Sequence, residues 1–226
     1  MEEGILYIVG TPIGNLEDIT LRALKILKEV DLIASEDTRH TRKLISHYDI
    51  HTSLTSFYEQ NQVEKTSYLI NYLKEGKKVA LVSKAGVPGI SDPGYYLIKE
   101  AIKEKVKIVP IPGPTALICA LIVSGLPMDS FIFMGFLGKR EGKRINKLKA
   151  LKEEKRTLII YEAPHRLRKV LKEMREVLGD RRIVVARELT KKFEEVLRGR
   201  ISEIEAFFKE REPKGEFTLV VEGKNL

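Results

Sequence analysis

The chain has 226 residues, which suits one large domain or two small ones, and its 40 Lys and Arg against 32 Asp and Glu give a net charge of +8. This basic excess permits a nucleic-acid partner, although a high charged fraction without Trp is also typical of heat-adapted proteins. The single cysteine, Cys119, excludes an internal disulfide and a cysteine metal site, and we expect no metal. The apolar run Ala116–Val123 is too short to span a membrane, and the acidic start Met1–Gly4 is not a signal peptide, so we expect a cytoplasmic protein.

Hydrophobic periodicity predicts alternating strands and helices in the first half of the chain. A buried strand at Ile5–Val9 precedes a helix at Leu21–Val30, which Thr20 caps, and a second strand at Asp31–Ser35. This alternation favours a parallel-rich sheet with helices on both faces. The further predicted elements are a polar helix from Thr38, a helix at 64–73, a strand at 79–83, a helix at 95–102, a strand at 106–110 and a buried helix at 116–123.

A short, basic, glycine-rich segment at Gly135–Arg144 predicts the boundary between two parts of the chain. We therefore expect two α/β lobes, residues 1–135 and 136–226, with a ligand cleft between them. The second lobe mixes helices and strands. Its predicted elements are a helix to Leu151, a strand at 157–161, a helix at 164–177, a strand at 183–186, a segment at 193–197, a helix at 202–208 and a strand at 217–221.

The loop that follows the strand at 79–83 is rich in glycine and proline, reading SKAGVPGISDPG over Ser83–Gly94. Glycine lets a backbone approach a bound molecule closely, and proline stiffens the approach. Two further strands run into similar turns, at Val9–Asn15 and Pro110–Ala116. Loops of this kind at strand ends favour a small-ligand site. The spacing matches neither a dinucleotide fingerprint nor a P-loop, which excludes the ordinary forms of both sites.

Charged residues also gather at strand ends, first at Ser35–Arg39 (SEDTR) and later at Tyr161–Arg166 (YEAPHR) and Arg187–Glu195 (RELTKKFEE). The first group either positions a polar substrate or starts a helix, with Ser35 or Asp37 as its cap. The alternating charges of the third are ordinarily a solvated face. A basic cluster indicates either phosphate binding or simple solubility; it consists of Lys139, Arg140, Lys143, Arg144, Lys147 and Lys149.

Taken in order, these motifs resemble one family over nearly the whole chain. The matching segments read LYIVGTPIGNLEDITLRAL, SEDTRHTRKL, VALVSKAGVPGISDPGY, PIPGPTA, YEAPHRL and RELTKKFEE. They resemble the bacterial 16S ribosomal RNA cytidine 2′-O-methyltransferases of the tetrapyrrole (corrin/porphyrin) methylase superfamily. SEDTR, YEAPHR and RELTK are typical of this RNA-directed branch and not of the branch that methylates small tetrapyrroles.

The resemblance implies a homodimer of two-lobed α/β chains that binds S-adenosylmethionine. Its substrate would be a cytidine in the 16S rRNA of the small ribosomal subunit, methylated on the ribose 2′-oxygen. By position, the residues expected to contact the cofactor are Pro12, Ile13, Ser83, Lys84, Ala85, Gly86, Val87, Pro88, Thr115, Ala116, Tyr161, Glu162, Leu189, Gly215 and Glu216.

Methyl transfer to a hydroxyl requires in-line alignment and a group that accepts the hydroxyl proton. The candidate bases are Glu36, Asp37, Glu162 and Glu188, which the sequence does not rank, and a neutral Lys84 is a further candidate if burial lowers its pKa. Contacts to RNA phosphates position the strand without reading its sequence. The candidates for such contacts are Arg39, Lys139, Arg140, Arg166, Arg187 and Lys191.

The chain departs from the family pattern in the glycine–proline loop. The family loop usually reads SDAGTP, so Lys84 replaces an acid and Val87 replaces a threonine. We expect the positive charge of Lys84 to weaken binding of a cationic sulfonium. Many relatives continue beyond the position of Leu226, in a segment that bears on rRNA docking. Two alternatives stay open, a methylase of a small tetrapyrrole and a non-catalytic RNA-binding or assembly protein.

Overall fold

A computed structural model describes residues 3–224, which divide after Thr115 into two compact units. Met1 and Glu2 of the acidic start, and Leu226 at the end, lie outside the described residues. Across residues 3–224, none of the helices combines the length and the apolar character that crossing a membrane requires.

The first unit is built on a parallel five-stranded sheet in the order β3-β2-β4-β1-β5. Its central strands are buried along almost their whole length, as parallel strands covered on both faces are. The strands are β1 (Ile5–Val9), β2 (Leu32–Ser35), β3 (Leu54–Ser56), β4 (Lys78–Val82) and β5 (Lys107–Ile111).

Helices cover both faces of this sheet because successive residues of a strand point to opposite sides. In β4, Ala80 and Val82 pack with α1 (Leu21–Glu29) and α2 (Thr38–His47). Val79 and Leu81 pack on the opposite face with α3 (Gln62–Lys74) and α4 (Tyr95–Lys103). The first unit is therefore a three-layer α/β sandwich, as the alternation of elements predicts.

The second unit contains a mixed five-stranded sheet in the order β6-β7-β10-β8-β9, in which β6 and β7 are parallel and the other pairs antiparallel. Leu158 and Ile160 of β7 pack in the main core with the helices α7 and α8, while α5 contacts the strands β7, β9 and β10. The elements are α5 (Ala116–Ser124), β6 (Phe131–Phe136), α6 (Glu141–Ala150), β7 (Thr157–Glu162), α7 (Pro164–Leu178), β8 (Arg182–Arg187), β9 (Glu195–Arg200), α8 (Ile201–Glu210) and β10 (Phe217–Val221).

The structure differs from the sequence-based expectation at the boundary and in two strands. The units divide after Thr115 and not after Gly135, because α5 packs against strands of the second sheet and β6 continues through Gly135. The strand β6 was not predicted, because its residues are continuously apolar and lack the alternation of apolar and polar side chains that marks a strand. It is also interrupted by Gly135, which has φ +59° and lies beside a shift in the register between β6 and β7. The unpredicted β3 has only three residues.

Candidate active site

The strand order of the first unit brings four loops to one edge of its sheet. In a parallel sheet the carboxyl ends of neighbouring strands lie side by side, and β2, β4, β1 and β5 are consecutive neighbours. The loops that begin at Glu36, Ser83, Gly10 and Pro112 therefore share this edge. The glycine and proline motifs, which are far apart in the chain, form one structural cluster.

A pair of backbone hydrogen bonds joins the loop after β1 to the loop after β4. The N–H of Thr11 donates to the carbonyl of Gly86 at 2.9 Å, and the N–H of Gly86 donates back to Thr11 at 3.0 Å. Gly86 has φ +84°, a conformation that side chains other than glycine rarely adopt. A glycine is thus required at this position to hold the two loops together.

The loops after β1 and β5 touch through their backbones at Gly10 and Gly113. A Cβ atom on Gly10 would lie 2.8 Å from the Cα of Gly113, and one on Gly113 would lie 2.8 Å from the Cα of Gly10. No larger residue fits at either position without separating the loops. Sequence reasoning missed this contact, although the glycine in each of the two turns is its signal.

The cofactor residues predicted in the first unit lie in these joined loops. Pro12, Ile13 and Ser83 are buried, and the hydroxyl of Ser83 donates to the carbonyl of Ala85 at 3.2 Å. Other predicted contacts are partly or fully buried along the same loops: Gly86, Val87, Pro88 and Thr115. Lys84 alone of the Ser83–Pro88 segment is exposed.

Glu36 links the end of β2 to the loop after β4. Its Oε2 accepts a hydrogen bond from the main-chain N–H of Lys84 at 2.8 Å, and its own N–H donates to the carbonyl of Val82 at 3.2 Å. The Glu36 side chain is half-buried, so one carboxylate oxygen is anchored while the group still reaches solvent. Of the four candidate bases, Glu36 lies in direct contact with the glycine–proline loop.

Asp37 is the cap of α2. Its Oδ1 accepts hydrogen bonds from the N–H groups of Arg39 at 3.0 Å and His40 at 3.1 Å. The bond from His40, followed by that from Arg39, holds the pKa of Asp37 below its ordinary value. The side chain of Ser35 is buried and pairs instead with the hydroxyl of Thr41 at 2.7 Å. The helix-start interpretation of SEDTR is therefore confirmed for Asp37.

Tyr161 is held in the second unit by aromatic packing and by the start of α5. Its hydroxyl accepts a hydrogen bond from the N–H of Leu117 at 3.1 Å, next to Ala116. The rings of Phe133 and Phe136 lie edge-on, with centroids 4.9 and 5.7 Å from that of Tyr161. Tyr161 and Ala116, two predicted cofactor contacts, are thereby placed together.

Glu162 and Arg166 form a buried pair across the β7–α7 junction. Glu162 is 1 % exposed, and its Oε1 lies 2.5 Å from Arg166 Nη2 and accepts from the N–H of Ala163 at 2.7 Å. Burial outweighs these contacts and raises the pKa of Glu162. Among the described groups, Glu162 Oε2 has no hydrogen-bond partner. Because Oε1 bonds to both Arg166 and the N–H of Ala163, the pair fixes the β7–α7 junction.

Glu188 lies in the turn that follows β8 and contacts both Lys191 and Glu216. Glu188 Oε1 accepts from Lys191 Nζ and from the N–H of Glu216, each at 2.9 Å, and Lys191 also donates to Glu216 Oε2 at 2.7 Å. Burial opposes the charge of Glu188, but these hydrogen bonds outweigh it and lower the pKa. A Cβ atom on Gly215 would lie 2.5 Å from Glu188 Cγ, so the glycine makes room for this side chain. Leu189 is buried within the turn.

The predicted phosphate contacts divide into internal and exposed side chains. Arg166 is paired with Glu162, and Arg187 donates to the carbonyl of Lys214 at 2.5 Å and is mostly buried. Arg144 of the basic cluster is also internal, because it is 2 % exposed and makes a two-pronged ion pair with Glu173. The exposed candidates are Arg39, Lys139 and Arg140.

Comparison with known proteins assigns the family of the chain. Residues 5–205 match the Tetrapyrrole (Corrin/Porphyrin) Methylases. A relative from Halalkalibacterium halodurans, named ribosomal RNA small subunit methyltransferase I, is 52 % identical over 98 % of this chain and 77 % of its own length. A relative of the same name from Thermotoga maritima is 50 % identical over 98 % of this chain and 99 % of its own length.

Solved structures agree on the fold. Diphthine synthase superposes with a TM-score of 0.76 at 18 % identity, covering 98 % of this chain and 91 % of that one. Cobalt precorrin-4 methyltransferase superposes with a TM-score of 0.69 at 20 % identity, covering 96 % and 94 %. The joined loops, the two sheets and the extended identity lead to one conclusion: the chain belongs to the tetrapyrrole (corrin/porphyrin) methylase family, within the group of ribosomal RNA small subunit methyltransferase I proteins.

Proposed function

We propose that the chain transfers a methyl group from S-adenosylmethionine to the ribose 2′-oxygen of a cytidine in 16S rRNA. The observation that carries this proposal is the identity of about half of all residues, over nearly the full chain, to proteins named ribosomal RNA small subunit methyltransferase I. The net charge of +8 suits an RNA substrate, whose phosphates attract basic surfaces.

The joined loops of the first unit fit the methyl donor. Thr11 and Gly86 hold two of the loops together, and the backbone contact of Gly10 with Gly113 holds the third, so the edge is formed before any ligand arrives. Bound there, S-adenosylmethionine supplies a methyl group activated by a sulfonium charge. The proposed contacts in this unit are Pro12, Ile13, Ser83–Pro88 and Thr115, while Ala116, Tyr161, Glu162, Leu189, Gly215 and Glu216 remain predicted contacts in the second.

We propose Glu36 as the base. Asp37 is committed to capping α2, Glu162 is enclosed with Arg166, and Glu188 is held by Lys191. Glu36 is anchored through Oε2 to the N–H of Lys84, which leaves Oε1 to accept the proton of the 2′-hydroxyl. Oε1 of Glu36 would take the hydroxyl proton while the 2′-oxygen receives the methyl group that a bound donor would supply, and the donor would leave as a neutral thioether.

Glu36 also offsets the unusual charge of the loop. Lys84 brings a positive charge to a site for a cationic sulfonium, but the carboxylate of Glu36 lies against the backbone of the same residue. The carboxylate therefore places a negative charge beside the loop, which favours a cationic sulfonium. We therefore propose that the donor still binds, which sets this chain apart from a non-catalytic RNA-binding protein.

We further propose that the chain acts in the cytoplasm as a homodimer. The helix α5 exposes an apolar face, with Ile122 61 % exposed and Ile118 39 % exposed. Contiguous exposed apolar side chains mark protein contact surfaces. Sedimentation of the chain at micromolar concentration measures its oligomeric state, and Ile122→Glu is expected to yield monomers.

Methyl transfer itself is tested with labelled S-adenosylmethionine and unmethylated small ribosomal subunits. We expect label in the 16S rRNA, and we expect none in an acidic tetrapyrrole macrocycle offered separately. Label in the macrocycle alone would assign the activity to the small-molecule branch. Donor binding by calorimetry without transfer to either substrate would contradict both assignments.

A further inference from the structure

A cavity beside the proposed donor loops has basic groups at its rim. It occupies about 200 Å³ and is bounded by the carboxyl ends of β1 and β4 and by the first turns of α2. The side chains of His40, Lys43 and Lys84 line it, and among the described residues no acidic side chain does. All three basic residues are exposed, so their side chains reach solvent.

The inner wall of the cavity is apolar and preformed. Pro12, Leu16 and Leu44 contribute this wall, and Pro12 and Leu44 are buried. The hydroxyl of Tyr48, at the end of α2, donates to the carbonyl of Leu16 at 2.7 Å and ties the turn after β1 to the helix. The cavity is thus a built feature of the fold and not a gap between loose loops.

The buried hydroxyls on its floor are already satisfied within the protein. Thr41 pairs with Ser35 at 2.7 Å, and Ser83 donates to Ala85 at 3.2 Å. These hydroxyls therefore need no hydrogen bond from a ligand. The apolar wall and the basic side chains at the rim are what determine which ligand fits the cavity.

From this arrangement we propose that the cavity binds one nucleotide of the RNA strand next to the methylated cytidine, an assignment that rests on the proposed function. An apolar wall under a basic rim matches a nucleotide, whose base packs against apolar side chains while its phosphate accepts hydrogen bonds from cations. At about 200 Å³ the cavity is smaller than the roughly 300–1,000 Å³ of sites that enclose a whole drug-sized ligand, which favours one nucleotide over the complete methyl donor. Lys84, which departs from the family pattern together with Val87, is thereby a substrate-binding residue.

The test compares the variants Lys43→Gln and Lys84→Gln with Lys99→Gln, which makes the same charge change on an exposed position of α4, on the opposite face of the sheet. Binding of unmethylated small ribosomal subunits is measured as a function of salt, together with the calorimetric Kd for S-adenosylmethionine. Unchanged Tm values confirm that each variant folds.

We expect each cavity variant to bind subunits about tenfold more weakly, and to lower the slope of log K against log salt by about 1, as loss of one phosphate contact does. Donor affinity stays within twofold in Lys43→Gln, which lies outside the proposed donor contacts, and Lys99→Gln behaves as the wild type. Subunit binding equal to that of Lys99→Gln, or a loss confined to donor binding, would overturn the proposal. If the wild type binds subunits but transfers no methyl group, the proposed function fails, while the binding comparison still decides the cavity assignment.

Discussion

The N–H of Lys84 donates to Glu36 Oε2 at 2.8 Å, which joins the acidic motif after β2 to the glycine–proline loop after β4. The two residues are 48 positions apart in the chain and meet because β2 and β4 are neighbours in a parallel sheet. This bond places one partly exposed carboxylate beside the loop proposed for the methyl donor.

Replacing Glu36 with Gln is expected to lower kcat by a factor of about 100 or more, because general-base catalysis contributes about 10²–10⁴. The Gln amide oxygen still accepts from the N–H of Lys84, so the loop and the donor Kd are retained. Single-turnover methylation of small subunits measures the effect. Glu29→Gln, an exposed carboxylate on α1, is the matched control, and equal rates for the two variants would remove Glu36 as the base.

Replacing Gly10 with Ala is expected to weaken donor binding, because the added Cβ would lie 2.8 Å from the backbone of Gly113 and force the loops after β1 and β5 apart. Calorimetry with S-adenosylmethionine measures the donor Kd, which we expect to rise at least tenfold. Gly142→Ala is the matched control, since a Cβ there meets nothing within 4 Å and alanine favours the helix α6. Donor affinity unchanged in Gly10→Ala would show that the loop contact is irrelevant to the donor.

Loss of the cap at Asp37 is expected to destabilise the protein by about 0.5–2 kcal/mol at pH 7 in Asp37→Ala. The pKa of Asp37 is lowered in the folded state, so its contribution is present above the ordinary value of 3.8 and disappears as the pH falls through the folded pKa. Urea unfolding at pH 7 and near pH 3 measures the difference in unfolding free energy between the wild type and Asp37→Ala, which we expect to be smaller at the lower pH. Asp37→Asn keeps the capping oxygen and serves as the control. A pH-independent difference for Asp37→Ala would show that the ionised carboxylate of Asp37 does not stabilise α2.

Removing one partner of the buried Arg144–Glu173 pair is expected to cost about 3–5 kcal/mol, because Glu173→Ala leaves an uncompensated buried guanidinium. The hydrogen bond from Arg144 to Glu173 raises the pKa of the arginine in the wild type. Arginine stays charged at neutral pH without that partner, so the variant retains the buried charge. The double variant Arg144→Met with Glu173→Leu is expected to recover much of this stability. Chemical unfolding measures both, and an unfolding free energy for Glu173→Ala within 1 kcal/mol of wild type would refute the pair's role.

The sequence predicts most elements of the fold, because their patterns are local. The strand at Ile5–Val9, the cap at Thr20 and the strand at Phe217–Val221 are confirmed. The unit boundary was misplaced, since which sheet α5 covers is a tertiary property that periodicity does not record. The strands β3 and β6 were not predicted, because β3 has only three residues and β6 shows no alternation of apolar and polar side chains.

The candidate site was predictable as a set of motifs but not as a set of contacts. The sequence offers Glu36, Asp37, Glu162 and Glu188 as possible bases without ranking them, and only their three-dimensional partners separate them. Arg166 and Arg187 likewise read as phosphate contacts, yet their guanidinium groups are bonded to groups of the protein. Charge alone does not distinguish an internal ion pair from an RNA contact.

The most direct test of the proposed methyl transfer is mass spectrometry of nucleosides from 16S rRNA. Small subunits are first incubated with the wild-type chain and isotopically labelled S-adenosylmethionine. We predict one labelled product, 2′-O-methylcytidine, formed with the wild type and strongly reduced with Glu36→Gln. A label on a nucleobase, or no labelled nucleoside from a chain that binds the donor, would contradict the assignment of this chain as a ribose 2′-O-methyltransferase.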